Sequence, residues 1–301
     1  MKLARSREQA HDLIYSNNVL VNGSVALKPS RQVAISDHIH ITSPANEGFV
    51  SRGGVKLEFA LNNFGIDPNS LRCLDAGAST GGFTHCLLNK GAKEVVAVDV
   101  GYRQLHEQLA KDNRVFVMDR TNIRYLDESL LGNRPFDLAV CDLSFISLRI
   151  LVPVFTGSML KSNSCLVLLV KPQFEAGRKI VSQGKGIVRD PLVHESVLID
   201  VSNAYIDAGC SIEGVVPSPI KGAKGNIEYF LHLHNGTGSN GCSRFSQHTH
   251  THARIQAHAP EYKLERSQAD SQQYSLEHVQ QYNPEHAIAD AVREAYDKWL
   301  V

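Results

Sequence analysis

The sequence predicts an α/β protein built on a doubly wound, mostly parallel sheet, with a small module in front of it. Three observations carry this. The short apolar runs LRCLDAG, EVVAVDV, VFVMD, FDLAVCD and CLVLLVK alternate with helix-like stretches between about residues 49 and 235. The last three end in a charged residue, as strands do at the sheet edge where ligands bind. The first opens into a glycine-rich turn, DAGASTGGF.

Taken in order, Ala10, Leu13 and Ile14 fall at helical spacing in SREQAHDLI, with Ser6 as the expected cap. VLVNG and SVAL flank Asn22-Gly23, a hairpin signal. Residues 1–42 thus form a helix-plus-hairpin unit, and 43–48, with Pro44, Asn46 and Gly48, a linker. In the 49–235 segment, the LRCLDAG strand and turn lead into a helix from Phe83 to Asn89, and EVVAVDV into a polar helix from Tyr102 to Lys111. Further helices are expected around 146–160 and 190–208, with SIEGVVPSP and NIEYFLHLH as a closing pair of strands. Residues 236–301 read as a low-complexity, disordered tail, because NGTGSNGCS, HTHTHARIQAH and a Gln/Ser-rich run cannot build a core. A final helix is expected at 284–300, with Asn283 as cap, Pro284 in the first turn, and Ile288, Val292, Tyr296 and Trp299 along one face.

Composition narrows the class. Hydrophobic residues make up 43% and charged residues 21%, the balance of a water-soluble globular chain. No apolar run reaches the roughly 18 residues of a membrane span, so no membrane partner is expected. MKLARSREQ lacks a secretory apolar stretch, so the expected address is the cytoplasm. Cys73, Cys86, Cys141, Cys165, Cys210 and Cys242 form no CxxC pair, which suits reduced, structural cysteines. His248, His250 and His252 alternate in the tail, where a solvated linker is the simpler reading; no residue is assigned to a metal. The formal net charge is zero, yet Lys2, Arg5, Arg7, Lys28, Arg31, Arg52 and Lys56 face only Glu8, Asp12, Asp37 and Glu47 in the first 56 residues.

The turn after the first strand is the first chemical signal. A glycine-rich strand-to-helix turn lets backbone approach a ligand and presents helix N–H groups to it. The residues concerned are Asp75, Gly77, Ser79, Gly81, Gly82 and Phe83; Ser79 stands where GxGxxG would have its middle glycine, which weighs against a dinucleotide. Asp99, with Val100 beside it, closes the next strand, where an acid accepts from ribose hydroxyls. Asp119 closes the third and could read an adenine amino group. Four more charged residues sit beside tight turns: Lys56 in SRGGVKLEFA, Asp142 in CDLSFISL, Lys171 in LVKPQFEAGR and Glu228 in KGAKGNIEYF, the last placed in a late strand. Lys171 follows CLVLLV and so ends a buried strand, where its charge needs a partner.

VSRGGVKLEFAL, DAGASTGGFT, CDLSFISL, LVKPQFEAGR and KGAKGNIEYF, in that order, closely resemble the TlyA (haemolysin-A-like) ribosomal RNA 2′-O-methyltransferases, a branch of the FtsJ-like methyltransferases. The resemblance spans about residues 1 to 234. It implies a Rossmann-like sheet that binds S-adenosyl-L-methionine and methylates a ribose 2′-hydroxyl in ribosomal RNA or ribosomal subunits. It also implies a Lys-Asp-Lys-Glu catalytic set at Lys56, Asp142, Lys171 and Glu228, with Asp142 bordering the cofactor as well. Residues 1–42 resemble the family's S-four-type RNA-binding module, beginning at about its second helix. Arg5, Arg7, Lys28, Arg31 and Arg52 would then contact phosphates, and Lys179, Lys185 and Arg189 form a further basic cluster.

The chemistry suits these residue types. A ribose hydroxyl is a poor nucleophile at neutral pH, so a base must take its proton. Lys171 is assigned as that base, with a pKa expected to be depressed by burial or a cationic neighbour. Asp142 and Glu228 would orient the lysines, and Lys56 the hydroxyl and its neighbouring phosphate. Two other readings compete. A membrane-active haemolysin, suggested by the family's older name, lacks an apolar span; a catalytically silent RNA-binding or assembly protein would not need all four charged residues. A base methyltransferase would show an Asn/Asp-Pro-Pro-aromatic motif where this chain has Asp142-Leu143-Ser144-Phe145. The sequence does not set the target nucleotide, the subunit that carries it, or the oligomeric state.

Overall fold

A computed structural model of the chain describes residues 3–4, 7–15, 19–41, 48–126, 128–236 and 282–299. At the N-terminus, α1 (Arg7–Tyr15) precedes the three-stranded antiparallel sheet β2-β1-β3, made of β1 (Val19–Val21), β2 (Ser24–Val25) and β3 (Ile39–Ile41). Val21 pairs with Ser24 across Asn22 (φ 52°) and Gly23 (φ 80°), the two left-handed residues that a tight hairpin needs. Asn22 also donates to Asp37 and accepts from the His38 amide, which ties the long loop after β2 back to the turn. Val19, Val21 and Ala26 pack with Leu13, Ile14 and Ile39 as a core of their own. Ser6, the expected cap of α1, and the 43–47 part of the linker lie outside the described residues.

The second unit runs α2 (Arg52–Phe64), β4 (Arg72–Ala76), α3 (Gly82–Asn89), β5 (Glu94–Val98), α4 (Glu107–Ala110), β6 (Val115–Met118), β7 (Phe136–Cys141), α5 (Val152–Phe155) and β8 (Leu160–Val170). It continues with α6 (Pro172–Glu175), α7 (Arg178–Gln183), α8 (Pro191–Ile206), β9 (Cys210–Pro217), β10 (Tyr229–Asn235) and α9 (Pro284–Trp299). The seven strands are ordered β6-β5-β4-β7-β8-β10-β9, with β10 antiparallel to both neighbours and the first five strands mutually parallel. Cys165 to Val170 of β8 are buried without a break, the unalternating pattern of a strand covered on both faces. α2 and α3 cover one face around Leu57, Leu61, Phe83 and Leu87. α5, α8 and α9 cover the other around Leu151, Phe155, Leu198, Tyr205 and Ile288.

Three expectations are corrected. The helix expected at Tyr102–Lys111 is confined to α4, because strand-end acids claim the preceding amides: Asp99 accepts from Gly101 N and Asp119 from Arg103 N. The helix expected at 146–160 reduces to a 3-10 turn at Leu148–Leu151 followed by α5, and Leu160 already begins β8. Residues 282–299, read as part of a tail, belong to the folded core. Asn283 caps α9 by accepting from Glu285 N at 2.9 Å, and Ile288, Ala291, Val292 and Ala295 are buried in the larger core cluster. The histidine-rich stretch, including His248, His250 and His252, lies outside the described residues. Cys73, Cys86, Cys141, Cys165 and Cys210 are buried thiols, as a reduced structural role requires, and Cys242 lies outside the described residues. Among the described residues, no helix is long and apolar enough to cross a membrane.

Candidate active site

The carboxyl ends of the parallel strands converge on one edge of the sheet, and the polar residues singled out from sequence gather there. At β4, Asp75 is fully buried; its Oδ2 accepts from the Thr84 hydroxyl at 2.6 Å, and its Oδ1 has no hydrogen-bond partner. Burial pushes this carboxyl up to about 7, helped by the Asp142 and Asp99 charges and opposed by the Thr84 bond. The turn that follows is built for close approach. A Cβ on Gly77 (φ 90°) would stand 2.5 Å from the Asp142 carbonyl oxygen, so only glycine lets the β4 turn close on the end of β7. Ser79 takes a left-handed φ of 46° and gives its amide to Asp99 Oδ2 at 2.8 Å. Gly81, also left-handed, precedes α3, which Gly82 and Phe83 begin.

Asp99 and Asp119 close β5 and β6 as expected, and both already serve the protein. Asp99 also accepts from Gly101 N at 2.7 Å, and Asp119 accepts from Arg103 N at 2.8 Å. Each carboxylate oxygen has a second lone pair, so both acids remain able to take a ligand donor. Val100 is 68% exposed beside them, an apolar plate at the rim. The donor set therefore fits S-adenosylmethionine: an unsatisfied buried carboxylate oxygen for its ammonium, strand-end carboxylates for ribose hydroxyls and the adenine amino group, and a glycine turn that leaves room for it.

Next to this pocket are two ion pairs, Lys56–Glu228 buried and Lys171–Asp142 partly so. Lys171 Nζ lies 2.6 Å from Asp142 Oδ1 and donates to Ser144 Oγ at 3.1 Å. Lys56 Nζ lies 2.7 Å from Glu228 Oε2, and Gln173 Nε2 reaches Glu228 Oε1 at 3.5 Å. Lys56, Lys171 and Glu228 are all less than a tenth exposed. Four distant parts of the chain are needed. Lys56 is delivered by α2, whose Gly53 and Gly54 lie so close to Gly82 that a Cβ there would meet Ser51 Oγ and the Gly54 amide. Asp142 and Lys171 immediately follow β7 and β8. Glu228 lies in the turn just before β10 rather than within the strand, and Gly222 leaves the space its carboxylate occupies.

One electrostatic expectation is corrected. Burial does lower the Lys171 pKa, but the Asp142 and Glu228 carboxylates outweigh it and hold the ammonium above the ordinary lysine value. Burial works against the charge of Asp142, and Lys171 and Lys56 nonetheless hold that carboxyl below its usual range. The cluster is thus two closed salt bridges.

The sequence reading missed Phe145. It is 89% exposed, takes a left-handed φ of 65°, and its ring lies 4.9 Å from that of Phe174, which Lys171 Nζ faces at 5.8 Å. A bulky residue in that backbone region is an outlier, and it stands at the mouth of the site. The DLSF motif contains the residue, but its backbone angle and exposure are not sequence properties. Of the residues expected on RNA, Arg7, Lys28 and Arg31 are exposed on the N-terminal unit, Arg5 lies outside the described residues, and Arg52 sits half-buried at the start of α2, beside the site.

Comparison with known proteins shows the family. Residues 49–235 match the FtsJ-like methyltransferase family and residues 1–39 the S4 domain. The chain is 45% identical over 235 residues to the 16S/23S rRNA (cytidine-2′-O)-methyltransferase TlyA of Mycobacterium tuberculosis, covering 78% of this chain and 87% of that one. It is 42% identical over 228 residues to Hemolysin A of Brachyspira hyodysenteriae, covering 76% of this chain and 93% of that one. A solved structure described as a haemolysin from Streptococcus thermophilus superposes with a TM-score of 0.70 at 33% identity, covering 99% of this chain and 93% of the other.

Proposed function

We propose, for a chain that belongs to the FtsJ-like methyltransferase family together with the TlyA enzymes, that it methylates a ribose 2′-hydroxyl of ribosomal RNA on ribosomal subunits in the cytoplasm, with Lys171 as general base. The observation that carries this reading is the pair of salt bridges, Lys171–Asp142 and Lys56–Glu228, set against the S-adenosylmethionine pocket. Two lysines and two carboxylates brought together, all but Asp142 buried, are costly to the fold, and such clusters are characteristic of functional sites.

What S-adenosylmethionine supplies when bound is an activated methyl on a cationic sulfur, which then leaves as a neutral thioether. The chain would hold it by the Asp75 carboxylate at the ammonium, Asp99 at the ribose hydroxyls and Asp119 at the adenine amino group, with Val100 beside the adenine. Gly77, Ser79, Gly81, Gly82 and Phe83 shape the turn. Lys56, fixed by Glu228, positions the ribose hydroxyl and its phosphate. Lys171 Nζ, fixed by Asp142, accepts the hydroxyl proton. Because two carboxylates hold Lys171 protonated, only its minority free amine can act, and the rate must rise with pH. Phe145 offers a ring on which a nucleobase can stack, and Arg7, Lys28, Arg31 and Arg52 supply phosphate contacts, with Arg5 expected to join them.

The test is transfer of labelled methyl from S-adenosylmethionine to isolated ribosomal subunits, followed by digestion to nucleosides. A 2′-O-methylated nucleoside is expected. Label on a base, or none in the presence of measured cofactor binding, would overturn the reading; the second outcome would favour a silent RNA-binding protein.

A further inference from the structure

Helix α9 lies outside the part of the chain that matches the methyltransferase family, yet it is joined to two loops beside the catalytic cluster. Tyr296 Oη donates to Arg189 O at 2.8 Å. One residue earlier, Val188 O is bonded by the buried His194 at 3.1 Å, and that ring lies edge-on to Tyr296. In the same C-terminal turn, Lys221 Nζ donates to Trp299 O at 3.3 Å and faces the indole at 5.1 Å, a cation on the carbonyl end of the helix. The helix therefore grips the 186–189 loop and the 218–228 turn together.

The two loops are laced to each other by one side chain. Asn226 is 2% exposed; its Oδ1 accepts from Val188 N at 3.1 Å and its Nδ2 donates to Gly186 O at 3.0 Å. This is the pattern of a single rung of sheet, supplied by an amide side chain. Asn226 O in turn accepts from Gly222 N at 2.9 Å, the glycine that makes room for the Glu228 carboxylate. Glu228 O accepts from Ser218 N at 2.8 Å. These bonds fix the backbone of the turn around Glu228, which is presented to Lys56 from a frame anchored on α9.

We propose that Asn226 and the C-terminal helix are positioning elements of the active site: α9, through Tyr296 and Trp299, holds the two loops that Asn226 joins, and this frame sets Glu228 against Lys56. The proposal rests on the role given to Glu228 above. Its reach is to make residues 284–299 part of the catalytic architecture. The cofactor pocket, at the ends of β4, β5 and β6, is built on other strands than β9 and β10, which flank this turn, and should be unaffected.

The experiment uses the full chain and single-turnover methyl transfer to ribosomal subunits at saturating S-adenosylmethionine. Tyr296→Phe removes one hydrogen bond and keeps the half-buried ring; a loss of roughly three- to tenfold is expected, and about tenfold or more for Asn226→Ala, which removes two. The dissociation constant for S-adenosylmethionine should not change. The same substitutions in a Glu228→Asp background, whose carboxylate is already withdrawn from Lys56, should cost much less than they do alone, since residues acting through one another are not additive. Wild-type rates in both single variants overturn the proposal. So do losses that multiply fully with that of Glu228→Asp, because they would report general destabilisation. A Glu228→Asp protein as fast as wild type overturns instead the role given to Glu228, and is told apart by that variant alone.

Discussion

Replacing Asp75 by asparagine should stabilise the cofactor-free protein, and increasingly so as pH rises. The carboxyl is fully buried and raised to about 7 from an ordinary 3.8. A folded-state value above the unfolded one means that the folded protein holds this proton more tightly. The associated stability is present at low pH and is lost as pH climbs from about 4 through 7. At about 1.36 kcal/mol per pH unit, the gap between 3.8 and 7 amounts to about 4 kcal/mol at pH 8, and roughly 2 kcal/mol at pH 5.5. The asparagine's own packing cost does not titrate, so it cancels between the two pH values. Thermal melts of wild type and Asp75→Asn at pH 5.5 and 8 should therefore diverge, the variant gaining about 4–8 °C relative to wild type on going to the higher pH. S-adenosylmethionine binding should weaken at the same time, because the ammonium loses its carboxylate. Melting temperatures that run parallel in pH would refute the assignment of Asp75 as a buried, destabilising charge kept for the cofactor.

Other consequences follow from the same site. With Lys171 held protonated by Asp142 and Glu228, the single-turnover rate should rise about tenfold per pH unit from 6.5 to 9 without levelling, and a flat profile would remove Lys171 as the base. Gly222→Ala puts a methyl where the Glu228 carboxylate sits and should cost on the order of a hundredfold in rate with cofactor affinity retained, read by paired kinetics and calorimetry. Phe145→Ala should lower kcat/KM for RNA by roughly ten- to a hundredfold, the worth of one base stacked on an aromatic ring; unchanged kcat/KM would show that the exposed ring takes no part.

Much of this architecture was legible in the sequence, and what was not has a common cause. Strand-length apolar runs ending in Asp119, Asp142 and Lys171 marked both the sheet and its functional edge, since periodicity and burial are local properties. Asn22-Gly23 specified its hairpin through backbone angles that few residues accept. The Tyr102–Lys111 helix failed because Asp99 and Asp119 bind the amides it required, a competition between residues far apart in the chain. Lys171 was placed correctly by its context after CLVLLV, but the direction of its pKa shift depended on Asp142 and Glu228, which lie 29 and 57 residues away in the sequence. The face of α9 was readable from its spacing. Its attachment to the 186–189 loop and the 218–228 turn is a tertiary fact that no local pattern carries.

The most direct test of the account is the single-turnover rate of methyl transfer to ribosomal subunits by Lys171→Ala, with S-adenosylmethionine affinity measured on the same protein. The account predicts a loss of roughly 10²- to 10⁴-fold with affinity nearly intact, the contribution expected of a general base. A variant that transfers methyl at close to the wild-type rate would contradict it.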